Sequence, residues 1–75
     1  MKAVQDILRE LDRGNAKHGR GFISRHEAYA VILEELDEAW DEIKADGPSE
    51  SLRSELIQVG AMVVKFINQI DNSQL

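Results

Sequence analysis

Residues 24–43, SRHEAYAVILEELDEAWDEI, carry the clearest secondary-structure signal in the chain. Their large apolar side chains recur every three or four residues, which is the pattern of one face of an amphipathic helix. This face comprises Tyr29, Ile32, Leu33, Leu36, Trp40 and Ile43. Ser24 and Glu27 have the spacing of a capping box, in which the serine caps the helix and the glutamate reaches back. We therefore expect a helix over about residues 25–45.

A second long helix is expected over about residues 49–70. Residues 46–49 read Asp-Gly-Pro-Ser, and glycine followed by proline commonly separates two helices. The segment that follows has a stripe of large apolar side chains and a second face of smaller ones. The stripe is Leu52, Leu56, Val59, Val63, Phe66, Ile67 and Ile70, and the second face is Ile57, Gly60, Ala61 and Val64. Gly60 costs about 1 kcal/mol of helix propensity relative to alanine, so we expect another helix to pass close to it.

A shorter helix is expected at the start of the chain, over about residues 2–13. Val4, Ile7, Leu8 and Leu11 have the helical spacing, and Gly14-Asn15 resembles a helix stop. The glycine-rich residues 14–23 are therefore expected to form a loop that leads into the second helix.

These elements predict an all-α fold, one domain over residues 1–75 with two long helices and a short N-terminal helix. A chain of 75 residues buries only about 60–65% of its unfolded surface, and this one has no cysteine for a disulfide. The third helix is apolar on most sides, and three helices of one chain cannot cover it. We therefore expect a homodimer or homotetramer, in which helices 2 and 3 of two copies form a four-helix-bundle core.

Composition argues against several functional classes. The chain has no apolar run of about 18 residues and no signal-peptide core at its start, so we expect a cytoplasmic protein without a membrane partner. The net charge of −5 argues against binding to a nucleic-acid backbone. Gly19-Arg20-Gly21 is not a phosphate-binding P-loop, because the Lys-Ser/Thr ending and the preceding strand are both missing.

The acidic residues of the two long helices repeat a three-residue spacing: Glu35-x-x-Glu38, sixteen residues, then Glu55-x-x-Gln58. Residues three apart share a helix face, so two such pairs on packed helices can converge as an oxygen-rich site for Mg²⁺, with Mn²⁺ as an alternative. A di-iron site is disfavoured, because no histidine follows a glutamate by three residues. The alternative for Glu35, Glu38 and Glu55 is a structural ion pair with a residue elsewhere.

The remaining acidic residues of the second helix, Glu34, Asp37, Asp41 and Glu42, are interpreted as a solvated face. Among them, Glu34 is the candidate to accept the proton of an attacking water, so that Glu34, Glu35 and Glu38 are the candidate catalytic residues.

A basic segment precedes this acidic helix, with Arg13, Lys17, His18, Arg20, Arg25 and His26 between residues 13 and 26. Cations beside a carboxylate helix suit a polyphosphate that is carried with a divalent metal ion. Lys17, Arg20 and Lys65 are the candidates to bind phosphate oxygens, and His26 is the candidate to contact the base or a phosphate. The alternative for each is an exposed surface residue.

Residues 26–43 and 54–62 together resemble the MazG-like all-α nucleoside triphosphate pyrophosphohydrolases, and the resemblance extends over about residues 15–70. The signature of that family is Glu-x-x-Glu, a spacer, then Glu-x-x-Asp. The resemblance implies Mg²⁺-dependent hydrolysis of a ribo- or deoxyribonucleoside triphosphate to the monophosphate and pyrophosphate by a dimer or tetramer. It implies that Glu35, Glu38 and Glu55 are metal ligands, and it places Gln58 in the position of the fourth acid.

Gln58 departs from that signature, and the departure defines the alternatives. A glutamine carbonyl can ligate Mg²⁺ but brings no negative charge, which weakens metal binding and the activation of water. One alternative is therefore a catalytically weak or inactive relative that acts as a regulatory or partner-binding helical oligomer. Another is an unrelated acidic helical adaptor that binds a basic protein.

Overall fold

The part of the chain that the structure describes folds into three α-helices. The computed structural model describes the backbone of residues 1–18 and 20–75 and the side chains of residues 1–15 and 20–75. The helices are α1 (Lys2–His18), α2 (Arg25–Lys44) and α3 (Ser49–Asp71). No strand occurs in these described ranges, which confirms the all-α prediction. The bounds of α2 and α3 lie within one residue of the expected ones.

The predicted end of α1 at residue 13 is wrong, because the helix continues through Gly14 to His18. A single interior glycine costs about 1 kcal/mol relative to alanine, which packing readily outweighs. Leu11, just before the glycine, is half-buried, and an Arg13–Glu10 ion pair adds support along the helix surface. Part of the segment expected to be a loop is therefore helical.

The start of α2 confirms the predicted cap. The Ser24 hydroxyl accepts a hydrogen bond from the Glu27 N–H at 3.0 Å. The Glu27 carboxylate reaches back to accept from the N–H of Ile23 at 3.0 Å, one residue earlier than in the usual capping box. Two free N–H groups at the helix start are thereby satisfied.

The turn between α2 and α3 is tighter than glycine and proline alone predict. Asp46, rather than Gly47, has the left-handed backbone, with φ of 53°. The Gly47 N–H donates to the carbonyl of Glu42 at 3.0 Å, and a Cβ at Gly47 would meet the Glu42 carboxylate at 2.5 Å. A side chain at position 47 would have to displace the Glu42 carboxylate, so glycine leaves this close contact undisturbed.

The arrangement places α3 in the middle. Among the described residues, α1 and α2 each pack against α3 and not against one another. Contacts from Asp6 to Arg53 and from Ile7 to Gly60 advance in the same direction, so α1 runs parallel to α3. A Cβ added to Gly60 would lie 2.8 Å from Ile7 Cδ1, so another helix does approach closely at Gly60, as expected.

The side of α2 that meets α3 is lined by small and acidic residues. Ala28 and Ala39 are buried, as is Ala61 on α3, whereas Glu35 and Glu42 between and beyond the alanines are half-buried. Small side chains let two helices approach closely, so the contact brings carboxylates of α2 toward α3 instead of the large apolar stripe. In the described part of the chain no large side chain is completely buried.

Large apolar side chains instead form what we call the outward stripe of α2 and α3. Its α2 members are 41–66% exposed and its α3 members 38–51% exposed. The stripe comprises Tyr29, Leu33, Leu36, Trp40 and Ile43 on α2, with Leu56, Val63, Ile67 and Ile70 on α3. Of the face predicted for α2, Ile32 alone is half-buried within the chain. Over the described residues, none of the helices combines the length and apolar character that a membrane crossing requires.

Candidate metal centre and the adjoining cleft

Three carboxylates converge where α2 crosses the first half of α3. Glu35 and Glu38 come from α2 and Glu55 from α3, and one oxygen of each lies within 4.8 Å of one oxygen of the others. The three-residue spacing puts Glu35 and Glu38 on adjoining parts of one helix surface, and the antiparallel packing of α3 brings Glu55 to them. We call these residues the carboxylate cluster.

Crowding of like charges changes the ionisation of the cluster. Partial burial raises the pKa of Glu35 above 4.5, and repulsion by Glu38 and Glu55 adds to the rise. The pKa of Glu55 is raised by desolvation, by a hydrogen bond with Glu38, and by the charges of Glu38 and Glu42. The folded chain thus holds negative charges together at a cost, which a cation would relieve.

The described side chains supply no cation to the cluster. None of the ion pairs found among them involves Glu35, Glu38 or Glu55. The structural ion pair considered as the alternative is therefore not found within that part of the chain. The three carboxylates form a donor set of hard oxygen atoms, which fits the ligand preference of Mg²⁺.

A cleft opens beside the cluster, between α1 and α2, because these two helices do not touch. Its volume is about 510 Å³, and α3 forms its floor through Gln58, Met62 and Lys65. Glu35 lines the wall on α2, so one member of the carboxylate cluster faces both the other carboxylates and the cleft. A cleft of this size can accommodate a small organic ligand.

Cationic side chains line the same cleft. Arg13 of α1, Arg20 and Lys65 all contribute to its walls. Arg20 lies 3.8 Å from the carboxylate of Glu27 and remains largely exposed, and Arg13 pairs with Glu10. The Lys65 ammonium lies 4.7 Å from the centroid of the Phe22 ring, a cation–π contact. The cleft thus combines cationic side chains with carboxylates, and Arg13 and Arg20 each lie beside a glutamate of the same lining.

Phe22 is fastened to α3 by what we call the Gln69 latch. The Phe22 N–H donates to Gln69 Oε1 at 2.9 Å, and Gln69 Nε2 donates to the Phe22 carbonyl at 3.0 Å. Both residues are 7% exposed. The Phe22 ring also meets Phe66 edge-on, at 6.2 Å between centroids. The Gln69 latch fixes the segment that carries Arg20 and Phe22 to α3, and both residues line the cleft.

The candidate site residues whose side chains the structure describes divide into three groups. Glu35, Glu38 and Glu55 come together, and Gln58, Arg20 and Lys65 line the adjoining cleft. Glu34 and His26 are exposed and do not line the cleft. The Lys17 side chain lies outside the described residues.

Phe22 and Gln69 were not predicted as site residues. Phe22 is a lone aromatic residue in a glycine-rich segment, and Gln69 is a polar residue between Phe66 and Ile70 in an apolar helix. Each departs from the pattern around it, and this departure is the signal that sequence inspection can use. Their pairing depends on a contact across 47 positions, which local patterns do not encode.

No family model matches the chain, and neither does any curated protein or solved structure.

Proposed function

We propose that the chain is a Mg²⁺-dependent nucleoside triphosphate pyrophosphohydrolase, which converts a ribo- or deoxyribonucleoside triphosphate to the monophosphate and pyrophosphate. The observation that carries the proposal is the carboxylate cluster, which has no basic partner among the described side chains and opens through Glu35 onto a cleft with Arg13, Arg20 and Lys65. The resemblance to MazG-like enzymes supports the same assignment. Mn²⁺ is the alternative metal ion.

Glu35, Glu38 and Glu55 are the residues that would hold Mg²⁺, and the amide oxygen of Gln58 is the candidate for a further ligand. A bound Mg²⁺ neutralises the charge of a triphosphate and lowers the pKa of a water ligand. The three carboxylates supply the negative charge that such an ion needs. Gln58 lines the cleft beside Glu35 and contributes an oxygen without charge.

The cations of the cleft have a separate role, which is to bind and orient the phosphate chain. Arg20 and Lys65 line the same cleft as Glu35 and bind phosphate oxygens, and Arg13 extends this surface onto α1. When the phosphate chain is held in this way, its α-phosphorus is accessible to a water beside Glu35.

Hydrolysis forms a bond between the water oxygen and the α-phosphorus and breaks the bond from that phosphorus to the bridging oxygen of pyrophosphate. The water proton passes to a carboxylate. Burial and the neighbouring carboxylates raise the pKa of Glu35, which makes it a stronger base than an ordinary glutamate and a candidate acceptor. Glu34 is an alternative acceptor, reached from the solvent side because its side chain is exposed.

The acting form in this proposal is a homodimer or homotetramer. On α2 the outward stripe is spaced alternately by four and three residues, at positions 29, 33, 36, 40 and 43, which is the spacing of a helix-packing seam. Val63 and Ile67 each lie two residues from Lys65, about 200° around the helix. A second copy covering the stripe therefore leaves the cleft open to substrate.

A second candidate function is a catalytically weak or inactive helical oligomer that regulates or binds a partner. Gln58 favours it, because a neutral residue in that position leaves three negative charges at the site. This candidate predicts no change of melting temperature with Mg²⁺ and no turnover of any triphosphate.

The experiment that separates the two is the release of pyrophosphate from a panel of ribo- and deoxyribonucleoside triphosphates, in Mg²⁺ and in excess chelator. Release that depends on Mg²⁺ and prefers one base supports the enzyme. A folded oligomer that releases none supports the non-catalytic candidate.

A further inference from the structure

We propose that Gln69 is a positioning residue, which sets Phe22 and Lys65 so that the cleft binds a polyphosphate chain. The proposal deepens the proposed function, since the substrate's triphosphate is such a chain. It concerns a residue that neither touches the carboxylate cluster nor lines the cleft.

The first step is the burial of Gln69. A primary amide that is 7% exposed is costly in an apolar helix unless its oxygen and nitrogen both find partners. Here both partners belong to one residue, the N–H and the carbonyl of Phe22, at 2.9 and 3.0 Å. Two hydrogen bonds to the same peptide segment fix its position and its orientation together.

The second step is the close packing of Gly21 against the Gln69 amide, which leaves no space for a side chain at position 21. A Cβ at Gly21 would lie 2.5 Å from Gln69 Nε2 and 2.8 Å from its Cδ. A side chain at this position therefore displaces the amide from its bonds to Phe22. The backbone of Gly21 and the side chain of Gln69 are fitted to each other.

The third step leads from the latch to the cleft. The Phe22 ring is held at an angle to Phe66, and its face receives the Lys65 ammonium at 4.7 Å. Arg20, which also lines the cleft, lies two residues before Phe22 on the fastened segment. Loss of the latch frees the ring and removes the contact that orients the ammonium.

The experiment uses ¹³C-dimethylated lysines, a modification that keeps the positive charge, and follows each amine by NMR. An aromatic ring shields nuclei above its face, so the Lys65 signal should lie upfield of the Lys2 signal, each assigned by substitution with arginine. Gly21→Ala and Gln69→Leu should both move the Lys65 signal toward that of Lys2. Lys44, whose ammonium lies 5.6 Å from the Trp40 ring, is the internal control and should not move.

The same samples are titrated with inorganic tripolyphosphate in Mg²⁺. Both variants should bind it about fivefold more weakly than the original chain while keeping its helical circular dichroism. If Gln69→Leu does not fold, the Gly21→Ala variant alone tests the proposal, because it leaves the sequence of α3 unchanged.

Three results would overturn the proposal: a Lys65 signal that does not move, an affinity that is unchanged although the signal moves, or no binding of tripolyphosphate by the original chain. A chain that binds tripolyphosphate through Lys65 but releases no pyrophosphate from any nucleotide refutes the proposed function and leaves the role of Gln69 supported.

Discussion

Glu38 is the exposed member of the carboxylate cluster, and it can be tested with little risk to the fold. Glu38→Gln keeps the shape of the side chain and removes one of three charges. We expect it to abolish both the Mg²⁺-dependent rise in melting temperature and the release of pyrophosphate, because the remaining carboxylates hold the ion too weakly. Thermal unfolding with and without Mg²⁺ is the measurement.

The matched control for this change is Asp37→Asn, one position earlier on α2. Asp37 is also exposed and carries the same charge, but it lies outside the cluster. The control should keep the Mg²⁺ response and the activity. Equal losses in the two variants would mean that overall charge, rather than the cluster, governs the response to metal.

Glu35 and Glu55 give the metal-free chain a defined pH dependence. Their pKa values are raised in the folded state, so the folded chain holds protons that the unfolded chain releases. The stabilisation of the fold by these bound protons is complete below the ordinary glutamate pKa of 4.5, and it is lost as pH rises through the raised pKa values. Without metal, the free energy of unfolding should therefore fall as pH rises from 4.5 toward neutrality.

Glu35→Gln tests whether the carboxylate cluster causes this pH dependence, because a neutral side chain cannot titrate. Denaturant unfolding in chelator, at fixed protein concentration, should show a smaller fall for Glu35→Gln than for the original chain over the same pH range. Hydrogen bonds to Arg53 and Arg13 lower the pKa values of Asp6 and Glu10. These two residues therefore change protonation state below their ordinary pKa values and do not contribute to the fall in stability above pH 4.5. An identical fall in both proteins would show that the cluster is not its source.

At the scale of the helices, two interior glycines provide a matched pair. A Cβ at Gly14 meets nothing within 4 Å, whereas a Cβ at Gly60 meets Ile7 at 2.8 Å. Gly14→Ala should stabilise the chain by about 0.5–1 kcal/mol through helix propensity alone. Gly60→Ala should gain less or lose stability, because Ile7 must shift and the packing of α1 on α3 is disturbed. Chemical denaturation of both variants measures the difference.

The Gly14 result also bears on why α1 was predicted too short. Glycine and asparagine at positions 14 and 15 are a reasonable helix stop in isolation, but the signal is worth only about 1 kcal/mol. The half-buried Leu11 and the Arg13–Glu10 pair are enough to carry the helix past it. If Gly14→Ala destabilises the chain, α1 does not continue through this position.

Local signals were reliable where chemistry acts within a few residues. Ser24 and Glu27 predicted the start of α2 because both partners lie within one turn, and Gly60 predicted a close approach because a helix-interior glycine is costly without one. The convergence of Glu35 and Glu38 with Glu55 followed from helix periodicity and an assumed packing. The Gln69 latch did not, because it joins a glycine-rich segment to a helix 47 positions away.

The sequence pattern correctly predicted an apolar stripe on α2, but it could not predict which helix packs against that stripe. Within one chain α3 packs on the side with Ala28 and Ala39, and the stripe faces outward. Only three-dimensional packing decides between two faces that are both suited to contact. The four-helix bundle expected from two copies stays a prediction.

Leu36 and Leu8 test that bundle as a matched pair, since they are 48% and 47% exposed and lie on different surfaces. Leu36→Glu places a charge in the outward stripe and should convert the homo-oligomer to a monomer or a smaller oligomer, because burying an unpaired carboxylate is costly. Leu8→Glu, on α1, should leave the dimer intact. Sedimentation at several protein concentrations is the measurement, and equal behaviour of the two variants would place the interface elsewhere.

Pyrophosphate release from each ribo- and deoxyribonucleoside triphosphate, measured in Mg²⁺ and in excess chelator, decides whether the chain is this enzyme. The proposal predicts release of one pyrophosphate for each monophosphate formed, abolished by chelator and strongest for one base. A folded, oligomeric chain that releases no pyrophosphate from any of these nucleotides in Mg²⁺ would contradict it.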